Sequence, residues 1–218
     1  MNPAKKFAVV LAGCGVYDGA EIHEATLTLL AIDRHNVEYQ CFAPDVNQAH
    51  VVNHLTGKEM KETRNVLAES ARIARGKIKP LSQFNEKEFD AVIFPGGFGV
   101  AKNLCTFAFD GVKCSVNPDA QRVIRSMHTA GKPIGALCIS PVLITKVLGG
   151  LKVTIGNDPE TADAIRAMGG QHVHSAPGEV IVDQKNKIVT SPCYMLDSSI
   201  SQIAEGAENV VKAILKML

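Results

Sequence analysis

Neither sign of charge is in excess, with 23 Lys and Arg against 22 Asp and Glu in 218 residues. No overall field is present to recruit nucleic acid or an anionic membrane surface, so nucleic acid is not expected as a partner. Paired cysteines are missing too. The six cysteines, at positions 14, 41, 105, 114, 138 and 193, form no CxxC and no even framework of a short secreted chain. They read as free thiols in a reducing compartment, with the cytoplasm as the expected location. No apolar stretch approaches the ~18 residues of a membrane span, and no membrane association is expected. Internal repeats, low-complexity tracts and linkers are absent as well. The chain therefore reads as one domain over residues 1–218, long enough to bury a full core.

What the sequence does carry is an alternation of apolar β-branched runs with helical patterns. "FAVVLAG" (7–13) reads as a first strand. The "LAGC" that ends near it has the look of a lipoprotein processing box, but its apolar run is only about half of a signal core of ~7–15 residues. The same residues also make a buried parallel strand running into a glycine turn. "EIHEATLTLLAIDRHN" (21–36) predicts a helix with Ile22, Ala25, Leu29 and Ile32 on one face. "VEYQCFAP" predicts a second strand, and the polar stretch 45–79 a helix over "ETRNVLAESARIAR". Next come "FDAVIFPGGFG" as a buried strand ending in a glycine turn and "NPDAQRVIRSMHTAGK" as a helix with Pro118 in its first turn. "PIGALC" is a strand, "SPVLITKVLGG" a helix, "KVTIG" a strand and "ADAIRAMGG" a helix. "VIVDQKNKIVT" reads as a small antiparallel addition before the closing helix "SISQIAEGAENVVKAILKML". Strands spaced by helices give an α/β class with a mostly parallel sheet and helices on both faces.

In such a sheet, ligands gather at the carboxyl ends of the strands. That singles out the loops "GCGVYDG", "PGGFG", "CIS" and "SPCYM". Cys138 lies between a strand and a helix, with Ala136 and Ser140 two positions to either side. A nucleophile elbow needs small residues there, because its strained turn brings the flanking positions close together. Pro141 suits a helix's first turn. A thiol so placed would face the helix N-terminus, which favours the thiolate, although a free cysteine is equally at home as an inert buried residue. The paired glycines of "PGGFG" let backbone N–H groups approach a ligand, and with the N–H of Ile139 they would supply two donors to a tetrahedral adduct on Cys138. A plain turn explains them as well. Glu24 lies in the first turns of the first helix, within reach of the same crevice, and Glu21 rivals it for a proton-transfer role.

"GCGVYDG" spaces its glycines as GxGxxxG, a poor match to a dinucleotide fingerprint. His50 and His54 stand four apart but lack a third metal ligand, so a solvated helix face accounts for them. The basic residues of 58–79 alternate with Glu59, Glu62 and Glu69 and also read as a solvated face.

The order of a strand with a helix glutamate, then "FPGGFG", then "GKPIGALCISP" resembles the class I glutamine amidotransferase-like superfamily, in its intracellular-protease and Parkinsonism-associated deglycase branch. "GCGVYDGAEIHEA", "CFAPD", "HLTGKEMKETRNVL", "PGGFGVAKNL" and "TIGNDPETA" are similar to the ElbB-type glyoxalases of that branch, also called isoprenoid-biosynthesis-like proteins. The likeness spans nearly the whole chain. It implies a three-layer α/β/α sandwich with a flavodoxin-like, mostly parallel sheet and a nucleophile elbow, and a homodimer. It also implies a glyoxalase that converts glyoxal to glycolate without cofactor or metal, an activity that protein deglycation would equally produce. Carried over by position, Cys138 is the nucleophile, Glu24 the carboxylate touching it, and Gly96, Gly97 and Ile139 the backbone donors of an oxyanion hole. The substrate class is a small aldehyde or dicarbonyl. The pattern departs from its amidotransferase kin in lacking a histidine after the nucleophile, where Ile139 stands, or on the next strand, "VTIGN". His172, His174 and His128 are the remaining candidates, each more simply a surface or packed residue. Without such a base, amide hydrolysis is not expected, because an amide leaving group wants a proton donor. The alternative reading is a non-catalytic, redox-sensing protein that uses Cys138 as an oxidisable thiol.

Overall fold

The first strand, β1 (Lys6–Val10), shows how the sheet is built. Its Ala8 and Val10 face one helical layer and Phe7 and Val9 the other, all without solvent contact. A strand covered on both faces needs the continuous apolar run that the sequence supplies. The computed structural model describes residues 5–218. Helix α1 (Ile22–Arg34) and strand β2 (Glu38–Ala43) follow, then a small hairpin of β3 (Val52–Asn53) and β4 (Lys58–Glu59), α2 (Val66–Ile73), β5 (Ile78–Pro80) and β6 (Ala91–Phe94). The chain continues through α3 (Phe107–Asp110), α4 (Pro118–Thr129), β7 (Ile134–Leu137), α5 (Ser140–Leu148), β8 (Lys152–Val153), α6 (Pro159–Ala167) and β9 (Gln171–His172). Strands β10 (Ile181–Asp183) and β11 (Ile188–Ser191) precede the closing helix α7 (Ile200–Leu215).

The main sheet runs β10-β11-β7-β6-β1-β2-β5, parallel throughout except for β10 at one edge. Helices α1, α2 and α7 pack on one face and α4, α5 and α6 on the other. This is the expected flavodoxin-like α/β/α sandwich. The strand order reverses direction between β1 and β6, which opens a crevice at the carboxyl ends of the strands.

Several local expectations need correction. Ile22 was expected on the buried face of α1 with Ala25, Leu29 and Ile32, but it is 45% exposed because it opens the helix at the rim of the sheet. The helix expected from Glu62 starts only after Asn65, whose side chain caps it by accepting the N–H of Ala68 at 3.0 Å. His50 and His54 are not on a helix. The chain there forms the β3–β4 hairpin, with His54 stacked on Tyr17. Strand β8 pairs with β9 in a separate two-stranded sheet rather than joining the main one. Among the described residues, no helix is long and apolar enough to cross a membrane.

Candidate active site

Cys138 occupies the turn between β7 and α5 with φ at +58°, a left-handed conformation that a side chain disfavours by roughly 1–2 kcal/mol. Two hydrogen bonds hold the turn. The N–H of Cys138 donates to the Ser191 carbonyl at 2.9 Å, and the Ser140 hydroxyl donates to the Pro95 carbonyl at 2.8 Å. The first ties the elbow to β11 and the second to the glycine loop after β6. The residue is only 7% exposed, on the side of the sheet that carries α1 and α7.

Glu24 comes to the same point from α1 and is fully buried. Its Oε2 accepts the N–H of Gly96 at 2.9 Å, and its Oε1 accepts the N–H of Tyr194 at 3.2 Å. Glu21 is not a rival. Its carboxylate caps α1 by accepting the Glu24 N–H at 2.7 Å, so it positions the helix turn that presents Glu24. The absence of a side chain at Gly96 is what lets thiol and carboxyl meet. A Cβ there would lie 2.6 Å from Glu24 Oε2, 2.3 Å from Cys138 Cβ and 3.0 Å from Cys138 Sγ.

The electrostatics of this pair differ from the sequence-based expectation. Burial, reinforced by the nearby Glu21 charge, pushes the Glu24 carboxyl up to about 8, against the opposing pull of the Tyr194 N–H, the Cys138 thiol and the Gly96 N–H. Burial first, and then the Glu24 charge, push the Cys138 thiol well above its ordinary value despite the opposing Gly97 N–H. The helix N-terminus was expected to favour a thiolate; desolvation outweighs it, and both groups are neutral near pH 7.

The three expected backbone donors separate into two roles. The Gly96 N–H is engaged with Glu24 and is not free for an oxyanion, which corrects its expected part in the hole. The Gly97 N–H opposes the rise of the Cys138 thiol, and Ile139 has no hydrogen-bond partner for its N–H among the described residues. Both line the cavity over Cys138. Gly97, at φ +100°, also lies against the loop after β1, since an added Cβ would fall 2.4 Å from the Glu21 nitrogen and the Gly19 oxygen. The glycine run therefore serves the packing of one loop on another at least as much as the approach of a ligand.

The cavity has a volume of about 430 Å³ and lies above Cys138, Gly97 and Ile139. It brings in residues that sequence reasoning missed: Phe107 from α3, and Asp158 and Thr161 from the start of α6. Asp158 and Thr161 lie in "TIGNDPETA", but nothing local ties that motif or Phe107 to the cavity, because they reach the site through long-range packing. The loop "SPCYM" was flagged, but no residue within it was named. Tyr194 holds Glu24 through its N–H and bonds His23 Nδ1 through its hydroxyl at 2.8 Å. Cys193, buried at φ +43°, has its thiol pushed up by burial and the Glu24 charge. None of His128, His172 and His174 lines the cavity. His23, beside Glu24 on α1, is the histidine linked to it, through Tyr194. Among the described residues, no cluster of three or more His, Cys, Asp or Glu is placed to hold a metal ion.

Comparison with known proteins supplies the context for this geometry. Residues 16–196 match the model of the DJ-1/PfpI family. The chain is similar to human glutamine amidotransferase-like class 1 domain-containing protein 3, mitochondrial, with 50% identity over 99% of this chain and 84% of the relative. Zebrafish ES1 protein, mitochondrial, is 38% identical over 96% of this chain and 85% of its own length. Among solved structures, an isoprenoid biosynthesis protein with an amidotransferase-like domain from Ehrlichia chaffeensis is 40% identical, with TM-score 0.92, over 98% of this chain and 99% of that one. The names of the curated relatives overturn the expected cytoplasmic location, for they are mitochondrial proteins. Scattered free thiols report a reducing compartment and not which one, so the inference went one step too far.

Proposed function

The chain belongs to the DJ-1/PfpI family, and from that premise we propose that it is a cofactor-independent glyoxalase that turns glyoxal into glycolate through a hemithioacetal on Cys138. The family contains proteases, deglycases and glyoxalases. The observation that carries the choice is the buried pair of Cys138 on its elbow and Glu24 beside it, with the carboxyl held at about 8. A carboxyl near neutrality can both take and return a proton at working pH, which isomerisation requires and simple nucleophilic attack does not. In the form of the pair that has lost one proton, Cys138 adds to one aldehyde carbon as the Glu24 carboxylate takes the thiol proton, and the N–H groups of Gly97 and Ile139 face the new oxyanion. Glu24 returns that proton to the oxyanion, completing the hemithioacetal, and then moves a proton from the sulfur-bearing carbon to its neighbour through an enediol, leaving a thioester of glycolate. Water cleaves the thioester and restores the thiol. The internal oxidation of one carbon matches the reduction of the other, so no redox partner is consumed.

Two features weigh against the other members' reactions and against a sensor. The site's only linked histidine, His23, acts through a tyrosine hydroxyl rather than on Cys138, which leaves amide cleavage without its proton donor. An oxidisable sensor thiol is exposed and of low pKa, whereas Cys138 is buried with its thiol raised. The test is glycolate formation from glyoxal, without glutathione or metal, by wild type, Cys138→Ala and Cys138→Ser. Turnover lost in both variants supports the reading, and turnover absent or indifferent to Cys138 removes it.

A further inference from the structure

The cavity over Cys138 is larger and more apolar than glyoxal needs. At about 430 Å³ it lies within the range of pockets that enclose ring-sized ligands, ~300–1,000 Å³. Glyoxal has only two carbons and two oxygens. With its reacting carbonyl held by Gly97 and Ile139, it leaves the outer wall of Val16, Phe98, Ala101, Phe107 and Met195 in contact with water. Apolar walls gain binding energy only from apolar surface laid against them, about 25 cal/mol per Å², and the aromatic side chains of Phe98 and Phe107 in the lining suit an aromatic partner.

The charges around the cavity narrow the choice further. Among the described residues, no Lys, Arg or His lines it. Lys102 passes over the Phe98 ring at 5.5 Å, but its ammonium donates to the Tyr17 carbonyl at 2.9 Å and Lys102 is not itself a lining residue. The one charged lining residue is Asp158, whose carboxylate accepts the Thr161 N–H at 2.8 Å as the cap of α6. That hydrogen bonding holds its carboxyl below the usual range, so it stays ionised. An anionic group on the substrate would meet this carboxylate with no cation in the lining to offset it.

Resting on the glyoxalase reading, we infer that the preferred substrates are uncharged 2-oxoaldehydes with an apolar substituent of aryl size, and that oxoaldehydes carrying a carboxylate or phosphate are disfavoured. For phenylglyoxal the thiol adds to the aldehyde carbon. The hydrogen on that carbon passes as a proton, by way of Glu24, to the ketone carbon. Hydrolysis of the resulting thioester gives mandelate, with the net addition of one water.

Initial rates of hydroxy-acid formation from glyoxal, methylglyoxal, phenylglyoxal and 4-carboxyphenylglyoxal test the inference. The expected kcat/KM is at least tenfold higher for phenylglyoxal than for glyoxal, and at least tenfold lower for the carboxylated ring than for the plain one. Asp158→Asn, which retains a capping side chain, is expected to narrow the carboxylate penalty. Phe107→Ala is expected to narrow the aryl preference. Glyoxal turnover that depends on Cys138 but shows no gain with the aryl group overturns this inference and leaves the glyoxalase reading standing. An unpenalised carboxylate also overturns it, and failure of every aldehyde removes both.

Discussion

Gly96 illustrates how much of the site depends on a single missing side chain. A methyl group there would overlap Cys138 Cβ at 2.3 Å and Glu24 Oε2 at 2.6 Å, and neither neighbour has room to move, because both are buried. Gly96→Ala should therefore separate thiol from carboxyl and abolish glyoxal turnover; steady-state kinetics beside a circular dichroism spectrum checks that the fold survives the change. On the proposed mechanism Glu24→Gln removes the proton shuttle and should lower kcat by ~10²–10⁴, the usual range for a general acid–base group, whereas alkylation of Cys138 would continue. That Cys138 and Glu24 reach one strand-end crevice was legible in the sequence, since an elbow and a first-turn glutamate each leave a local pattern. Their ionisation was not. It depends on how completely α1 and the loop after β11 exclude water, and on the Gly96 N–H being engaged by Glu24, none of which a linear motif records.

Within α1, one charge sets the working pH of another. Glu21 accepts the Glu24 N–H as the helix cap, and its negative charge is the second cause, after burial, of the raised Glu24 carboxyl. In Glu21→Gln the amide oxygen can still accept that hydrogen bond while the charge is gone. Glu24 should then ionise at lower pH. The reactive form of the thiol–carboxyl pair is the one that has lost a proton, so kcat/KM in the wild type should rise with pH through about 8. In the variant this limb should move to lower pH, and a pH–rate profile that stays in place would show that Glu21 acts only as a cap. The alternation of strands and helices was readable because parallel strands buried on both faces must be continuously apolar, as at "FAVVLAG" and "AVIF". The β3–β4 hairpin escaped that logic. It lies outside the sheet, its strands are two residues each, and its place is fixed by Asp18, which accepts the Val52 N–H at 2.7 Å across 34 residues.

At the scale of the whole molecule, the buried carboxyl links the active site to folding. In the unfolded chain a glutamate ionises near 4.5, whereas in the folded protein Glu24 holds its proton to about 8. Between these two values the native state binds more protons than the unfolded one, so stability falls as pH rises. The stabilisation of the protonated form is complete below pH 4.5 and is lost progressively toward pH 8, with a limiting slope of about 1.4 kcal/mol per pH unit from one group. Cys138, raised above its ordinary 9.0, adds a second decline of the same sign at pH values above 9. Groups with lowered values work in the opposite direction: His172, lowered by burial and by neighbouring His174 and Arg166, adds stability as pH rises toward 6.5. The difference between wild type and Glu24→Gln removes such contributions, since they are common to both. Denaturant midpoints measured from pH 5 to 8 should fall more steeply in the wild type than in Glu24→Gln. Parallel curves would mean that Glu24 is already ionised in the native state, and the proton shuttle would then have to lie elsewhere. A steeper wild-type curve ties the protonation that catalysis needs to the burial that holds the two loops and α1 together, so that raising the pH to activate the pair also loosens the structure that makes it.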